Sequence, residues 1–233
     1  HQARVAWRRW RSTERLFRPW LARLPARDAL RPLLEALGQV RDLDVAVTET
    51  LPAWIDAYVE GDARRRALAE LALGRLRQAG QSRRSELRQL LAQPGTGTGL
   101  LGLAHWLHEL GQGIEQEDTV RRKAERDWAR ERSARLLGRL RLAVEASSAA
   151  DASAAQQHRT RLLAKRVRYG VETLHDLLPQ KKAERWVRAA SQLQTRLGAE
   201  RDLQRAIALL QEQGADAGLA DFLRGVAAAS RHG

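Results

Sequence analysis

Residues 1–24 read HQARVAWRRWRSTERLFRPWLARL. Wound as a helix at about 100° per residue, His1, Arg4, Arg8, Arg11, Arg15 and Arg18 fall within about one third of the circumference. Ala3, Ala6, Trp7, Trp10, Phe17, Trp20, Leu21 and Leu24 gather on the opposite side. The spacing therefore predicts one face for burial and one cationic stripe about 25 Å long. No carboxylate lies on the stripe, and Glu14 sits nearer the apolar flank. An ordinary solvated face alternates sign, because opposite charges three or four residues apart stabilise a helix. Aligned arginines repel one another in the free protein, so their alignment makes sense where an anion sits against them.

The pattern returns once. His158, Arg161, Lys165, Arg166 and Arg168 match His1, Arg4, Arg8, Arg9 and Arg11 at a constant offset of 157. Leu163, Val167, Val171, Leu174 and Leu178 take the sector held by Ala6, Trp10, Glu14, Phe17 and Leu21, and only Glu14 departs in kind. A second block repeats at an offset of 160: Leu37-Gly38-x-x-Arg41-Asp42-Leu43-Asp44-x-Ala46 against Leu197-Gly198-x-x-Arg201-Asp202-Leu203-Gln204-x-Ala206. Two ordered blocks at nearly one offset imply two similar helical halves, about 1–112 and 113–233, within a single domain over 1–233. Halves facing each other about a pseudo-twofold axis would bring both cationic helices alongside one groove.

Composition limits the partners. The chain has 233 residues, 41 basic against 28 acidic, and a formal net charge of +13. A polyanionic partner follows: nucleic acid, an anionic membrane or a phosphate polymer. Only Lys123, Lys165, Lys181 and Lys182 are lysines; arginine is the better fork for bidentate phosphate contacts. The absence of cysteine excludes disulfides, thiolate metal sites and thiol nucleophiles, and fits a reducing, cytoplasmic setting. No apolar run approaches bilayer length and no signal-peptide pattern opens the chain. A start at His1, with no methionine anywhere, is consistent with a domain cut from something longer.

Ala, Leu, Arg, Glu and Gln dominate and alternating β-branched runs are missing, so the reading is all-α. Helices are expected at about 27–51, 53–60, 62–92 with Asp62 as N-cap, 100–110, 118–146, 154–178, 181–213 and from 215. Gln93-Pro94-Gly95-Thr96-Gly97-Thr98-Gly99 reads as a loop. It lacks the Lys-Ser/Thr and the preceding strand of a phosphate cradle. His105 and His108 share a helix face but have no third ligand nearby, so no metal is expected there. The helix at 118–146 mixes Glu125, Asp127 and Glu131 among its arginines and reads as solvated.

Asp42, Asp44 and Asp202 are too sparse for a metal site. The structural reading is preferred: Gly38 and Gly198 permit close helix packing, and the aspartates anchor arginines of the first or fifth helix through ion pairs.

These blocks together, HQARVAWRRWR, LGQVRDLDVAV, HRTRLLAKRVRYGVETL and LQTRLGAERDL, resemble the CHAD family, the conserved histidine α-helical domain. The resemblance implies two pseudo-twofold-related antiparallel four-helix bundles and a basic central groove. It also implies non-catalytic binding of inorganic polyphosphate, often at polyphosphate granules, with no cofactor. Carried onto matching positions, the ligand face is His1, Arg4, Arg8, Arg9 and Arg11 with His158, Arg161, Lys165, Arg166 and Arg168. Arg9 and Arg166 lie off the main stripe by about 100°, Arg15 and Arg18 extend the first stripe only, and Gln204 departs from Asp44. Family members also occur joined to a CYTH domain, for which this chain has no acidic, strand-rich counterpart. From residue spacing we add Arg83, which a continuous helix places in the inward sector of Leu76, Ala79 and Leu90, where a guanidinium needs a carboxylate or an anion. Tyr169 either bonds a phosphate or packs.

Three rival readings follow. A single-strand nucleic-acid binder needs exposed aromatics for stacking, whereas Trp7, Trp10, Phe17 and Trp20 are expected in the core. A metal-dependent phosphohydrolase would need Asp42 or Asp202 to hold the ion. Membrane binding is weakest, because the apolar faces are committed to helix packing.

Overall fold

The computed structural model describes residues 2–21, 28–112, 119–148 and 153–229, and among them every regular element is helical. His1, the first member of the expected ligand face, lies outside the described residues, as do Leu24 and residues 149–152. The elements are α1 (Gln2–Phe17), α2 (Arg31–Val45), a π-helical turn (Ala46–Thr50), α3 (Pro52–Val59), α4 (Ala63–Ala92) and α5 (Pro94–Gly111). Then come α6 (Thr119–Ser147), α7 (Ala154–Thr173), a 3₁₀ turn (His175–Leu177), α8 (Gln180–Glu212) and α9 (Ala217–Ala229).

The starts and stops have local causes. Asp62 caps α4 by accepting the backbone N–H of Arg64 at 2.8 Å and of Arg65 at 3.1 Å. Ser153 and Gln156 form a capping box at α7. Pro52 has no N–H to offer the carbonyl four residues back. The chain widens into a π turn just before it, closed by the Leu51 N–H donating to the Ala46 carbonyl at 2.9 Å. Glu60 and Gly61 reverse the chain with positive φ, 42° and 82°.

The glycine-rich stretch is not a loop. Pro94 opens α5, and the helix runs through all of residues 94–99. Proline at a helix start gives up only an N–H that has no intrahelical partner. Thr98 returns its hydroxyl to the Pro94 carbonyl at 3.1 Å, and Thr96, buried, donates to Leu90 at 2.7 Å. Gly99 lets this turn approach the start of α2: a Cβ there would stand 3.2 Å from Leu30 and 3.3 Å from Ala29. The close packing expected at Gly38 and Gly198 is not found, since a Cβ at either would meet nothing within 4 Å.

The chain forms two compact units. One comprises Leu24–Gly111 and Ala199–Gly233; the other comprises Gln2–Arg23 and Gln112–Gly198. They differ from the sequence halves, because α1 joins the helices of the later half and the end of α8 joins those of the earlier half. Within each unit, like repeats meet like. In the first, Leu43 and Ala46 share a core with Leu203, Ala206 and Ile207, so the two Arg-Asp-Leu blocks pack together with α3, α4 and α9. In the second, Leu16 of α1 shares a core with Leu163, Ala164, Val167 and Val171 of α7 and with Ala129 and Leu140 of α6. There α6 and α7 approach closely: Thr160, buried, donates to the Ala143 carbonyl at 2.9 Å, and a Cβ on Gly170 would stand 3.2 Å from Leu136.

Candidate functional site

The unit holding α1 and α7 carries most of the expected ligand face. The two cationic helices lie against each other, and the Thr13 and Thr173 hydroxyls meet at 3.0 Å. Leu16 is the buried residue of α1, while Trp7 and Trp10 are half-buried with ring centroids 4.6 Å apart and Ala3 and Ala6 are exposed. Arg4, Arg8 and Arg11 on α1 and Arg161, Lys165 and Arg168 on α7 are half-buried, whereas Arg9, Arg15, His158 and Arg166 are exposed. Arg8 Nε donates to the Arg4 carbonyl at 3.3 Å, which fixes that side chain along its own helix.

The helices converge on an open hollow of about 660 Å³ lined by Arg15, Arg18, Pro19, Arg132 and Arg166. Among the described residues, four guanidinium groups line it and no carboxylate does. Arg15 and Arg18 come from the end of α1 and the turn after it, Arg166 from α7 and Arg132 from α6. Arg132 Nη2 donates to the Arg15 carbonyl at 3.5 Å. That carbonyl is in the last turn of α1, where no intrahelical donor remains, so a cation is favoured there. Arg132 Nε and Arg11 Nε are buried with no acceptor among the described residues. A buried charged donor without an acceptor is costly.

Sequence reasoning missed Arg132. Its neighbours on α6 are solvated ion pairs, as expected: Arg121 with Glu125 at 3.2 Å, Arg130 with Asp127 at 3.1 Å and Arg135 with Glu131. Only the packing of α6 near the end of α1 separates Arg132 from them.

Two expected ligand residues meet a carboxylate instead. Glu172 accepts from Arg168 Nε at 3.0 Å and lies 3.7 Å from Arg9 Nη2. Arg168 also stacks over the Tyr169 ring at 5.1 Å, and buried Tyr169 belongs to the packing. Arg83, expected inward, is exposed: its guanidinium turns along α4 to Glu86 at 2.7 Å and belongs to the other unit. Trp20, expected in the core, is 62% exposed, with its edge against Trp128 at 4.9 Å.

In the unit of α2–α5, the aspartates of the first Arg-Asp-Leu block do anchor arginines, but not those of α1. Asp42 accepts from Arg205 Nε at 3.2 Å, and Asp44 bonds Arg84. Burial lowers the Arg205 guanidinium, but its bonds to Glu212 at 2.7 Å and to Asp42 outweigh this and leave it above its ordinary pKa. Asp202 is half-buried on α8. No group of three or more His, Cys, Asp or Glu side chains is placed to hold a metal among the described residues, and His105 lies 3.4 Å from Glu109 one turn on. No described helix is long and apolar enough to cross a membrane.

Over residues 1–211 the chain matches the family model of the CHAD domain. The chain belongs to the CHAD family. Among solved structures, the crystal structure of the CHAD domain from the plant Ricinus communis is similar to this CHAD chain, with a TM-score of 0.77 and 30% identity. That match covers 100% of this chain and 75% of the plant one. No curated protein matches.

Proposed function

We propose that this CHAD domain binds inorganic polyphosphate without catalysing its turnover, along a basic groove formed by α1 and α7. The observation that carries the reading is the hollow lined by Arg15, Arg18, Arg132 and Arg166, with no carboxylate among its described lining residues. A polymer of phosphates has no bases to read, so it is recognised by spaced guanidinium, ammonium and imidazole donors and by release of counterions. Arg4, Arg8, Arg11, Arg161 and Lys165 continue the surface away from the hollow, and exposed His158 adds an imidazole donor. Pairing of like repeats within each unit supports descent from a pseudo-twofold arrangement of helical bundles. The reading extends to a cytoplasmic domain held at polyphosphate granules, alone or beside a CYTH domain.

The test is titration of long-chain polyphosphate into wild type and into an Arg4/Arg8/Arg161/Lys165→Ala variant, with folding checked by circular dichroism. Affinity falls steeply in the variant and with rising salt. Unchanged affinity in a folded variant overturns the assignment.

One observation favours a nucleic-acid reading. Exposed Trp20 follows Arg18 and Pro19, which line the hollow, and an indole face there would suit a stacked base. Competition between polyphosphate and single-stranded RNA or DNA, at matched phosphate concentration and salt, separates the two. Preference for polyphosphate, unchanged in Trp20→Ala, supports the first reading.

A further inference from the structure

The outer face of α5 lies in the longest stretch of this cationic chain without lysine or arginine. No lysine or arginine occurs between Arg88 and Arg121, in a protein of net charge +13. The helix buries Thr96, Gly99 and Trp106. The opposite side shows Leu101 at 73% exposure, with Leu100 and Leu107 also exposed. At about 100° per residue, Gly97, Leu100, Leu101, Leu107, His108 and Gly111 all lie within about 60° of Ala104, and each is exposed.

We infer that this face pairs with the same face of a second copy, two α5 helices crossing antiparallel about Ala104. The order of residues is self-complementary around that point. Antiparallel pairing sets Leu101 against Leu107 of the second copy, Leu100 against His108, and Gly97 against Gly111 at the two ends, and the small residues let the backbones approach. An isologous contact needs this reciprocity. Charge selects the occupant. Two copies, each of net charge +13, repel one another, and α5, whose one carboxylate is Glu109 and which has no lysine or arginine, offers a face on which they meet without opposing like charges. A polyanion finds no cation here. A helix lying in a membrane surface carries lysine or arginine beside its apolar face, and α5 has neither. A single helix pair falls at the small end of interface sizes, so the dimer is weak and concentration-dependent.

The experiment is sedimentation velocity on the full chain from about 1 to about 100 μM. The expected result is a shift from 26.2 kDa toward twice that mass, abolished in Leu101→Glu with circular dichroism and melting temperature retained. Because the chain has no cysteine, Ala104→Cys gives a second readout: oxidation yields a disulfide-linked dimer, whereas Ala134→Cys, at an exposed position of α6, does not. A wild type monomeric throughout, a dimer untouched by Leu101→Glu, or equal cross-linking at both cysteines each overturns the proposal. Binding of the monomer to neutral phosphatidylcholine vesicles, lost in Leu101→Glu, overturns it in favour of a lipid surface.

Discussion

Replacing Glu172 with glutamine asks whether the arginines beside it serve the ligand or only the fold. Glu172 holds Arg168 at 3.0 Å and Arg9 at 3.7 Å, and the Arg168 and Glu172 side chains are 28% and 29% exposed. A carboxylate in this position competes with an incoming phosphate for both guanidinium groups. Coulomb's law gives about 1 kcal/mol for unit charges in contact in water, and about half that at 8 Å, further reduced by salt near physiological strength. Freeing two partly exposed arginines and removing one repelling charge therefore adds about 0.5–1 kcal/mol to polyphosphate binding, a two- to fivefold gain in affinity. The cost to stability is below about 1 kcal/mol, because pairs this exposed are largely screened. The assay is isothermal titration with long-chain polyphosphate at several salt concentrations, for wild type and Glu172→Gln. A gain, with a steeper dependence on salt, fits competition. A loss of affinity would show that Glu172 positions the arginines for the ligand, and no change would place Arg9 and Arg168 outside the path; either result refutes the reasoning.

The paired variant Arg18→Ala/Arg166→Ala removes two of the four guanidinium groups of the hollow. It should lower polyphosphate affinity about tenfold and flatten the plot of log K against log salt by about 1.4, read by titration across salt. Gly99→Val drives a side chain against Leu30 and Ala29 and should cost about 1–3 kcal/mol in urea unfolding. Gly38→Ala, with open space around its Cβ in the middle of α2, should instead raise stability by about 0.5–1 kcal/mol. Asp62 is held below its ordinary value of 3.8 chiefly by the backbone N–H of Arg65, then by that of Arg64. A carboxyl depressed in the folded state contributes stability above its unfolded pKa and loses it as pH falls through the folded one. The difference in urea midpoint between wild type and Asp62→Asn should therefore be steady from about pH 5 to 7 and vanish toward about pH 2.

Residue pattern alone fixed a good deal. The helical period, the Asp62 cap, the duplicated cationic helix and the duplicated Arg-Asp-Leu block all follow from local spacing, and local spacing is what a helix obeys. The family could be read from the same blocks. The misreadings arose where a partner far along the chain decides. Pro94 and the glycines after it look like a loop until Gly99 is seen packed on Leu30, and Arg132 looks solvated until α6 is placed beside the end of α1. Helical angle points Arg83 and Trp20 inward, but it says where a Cβ points and not how far neighbouring elements extend to cover it. Tertiary structure also decided how the repeats associate: α1 crosses to the unit of α7, and the end of α8 crosses to the unit of α2. Periodicity shows that a face will be buried; which element buries it depends on contacts between residues more than a hundred positions apart, and those exist only once the chain has folded.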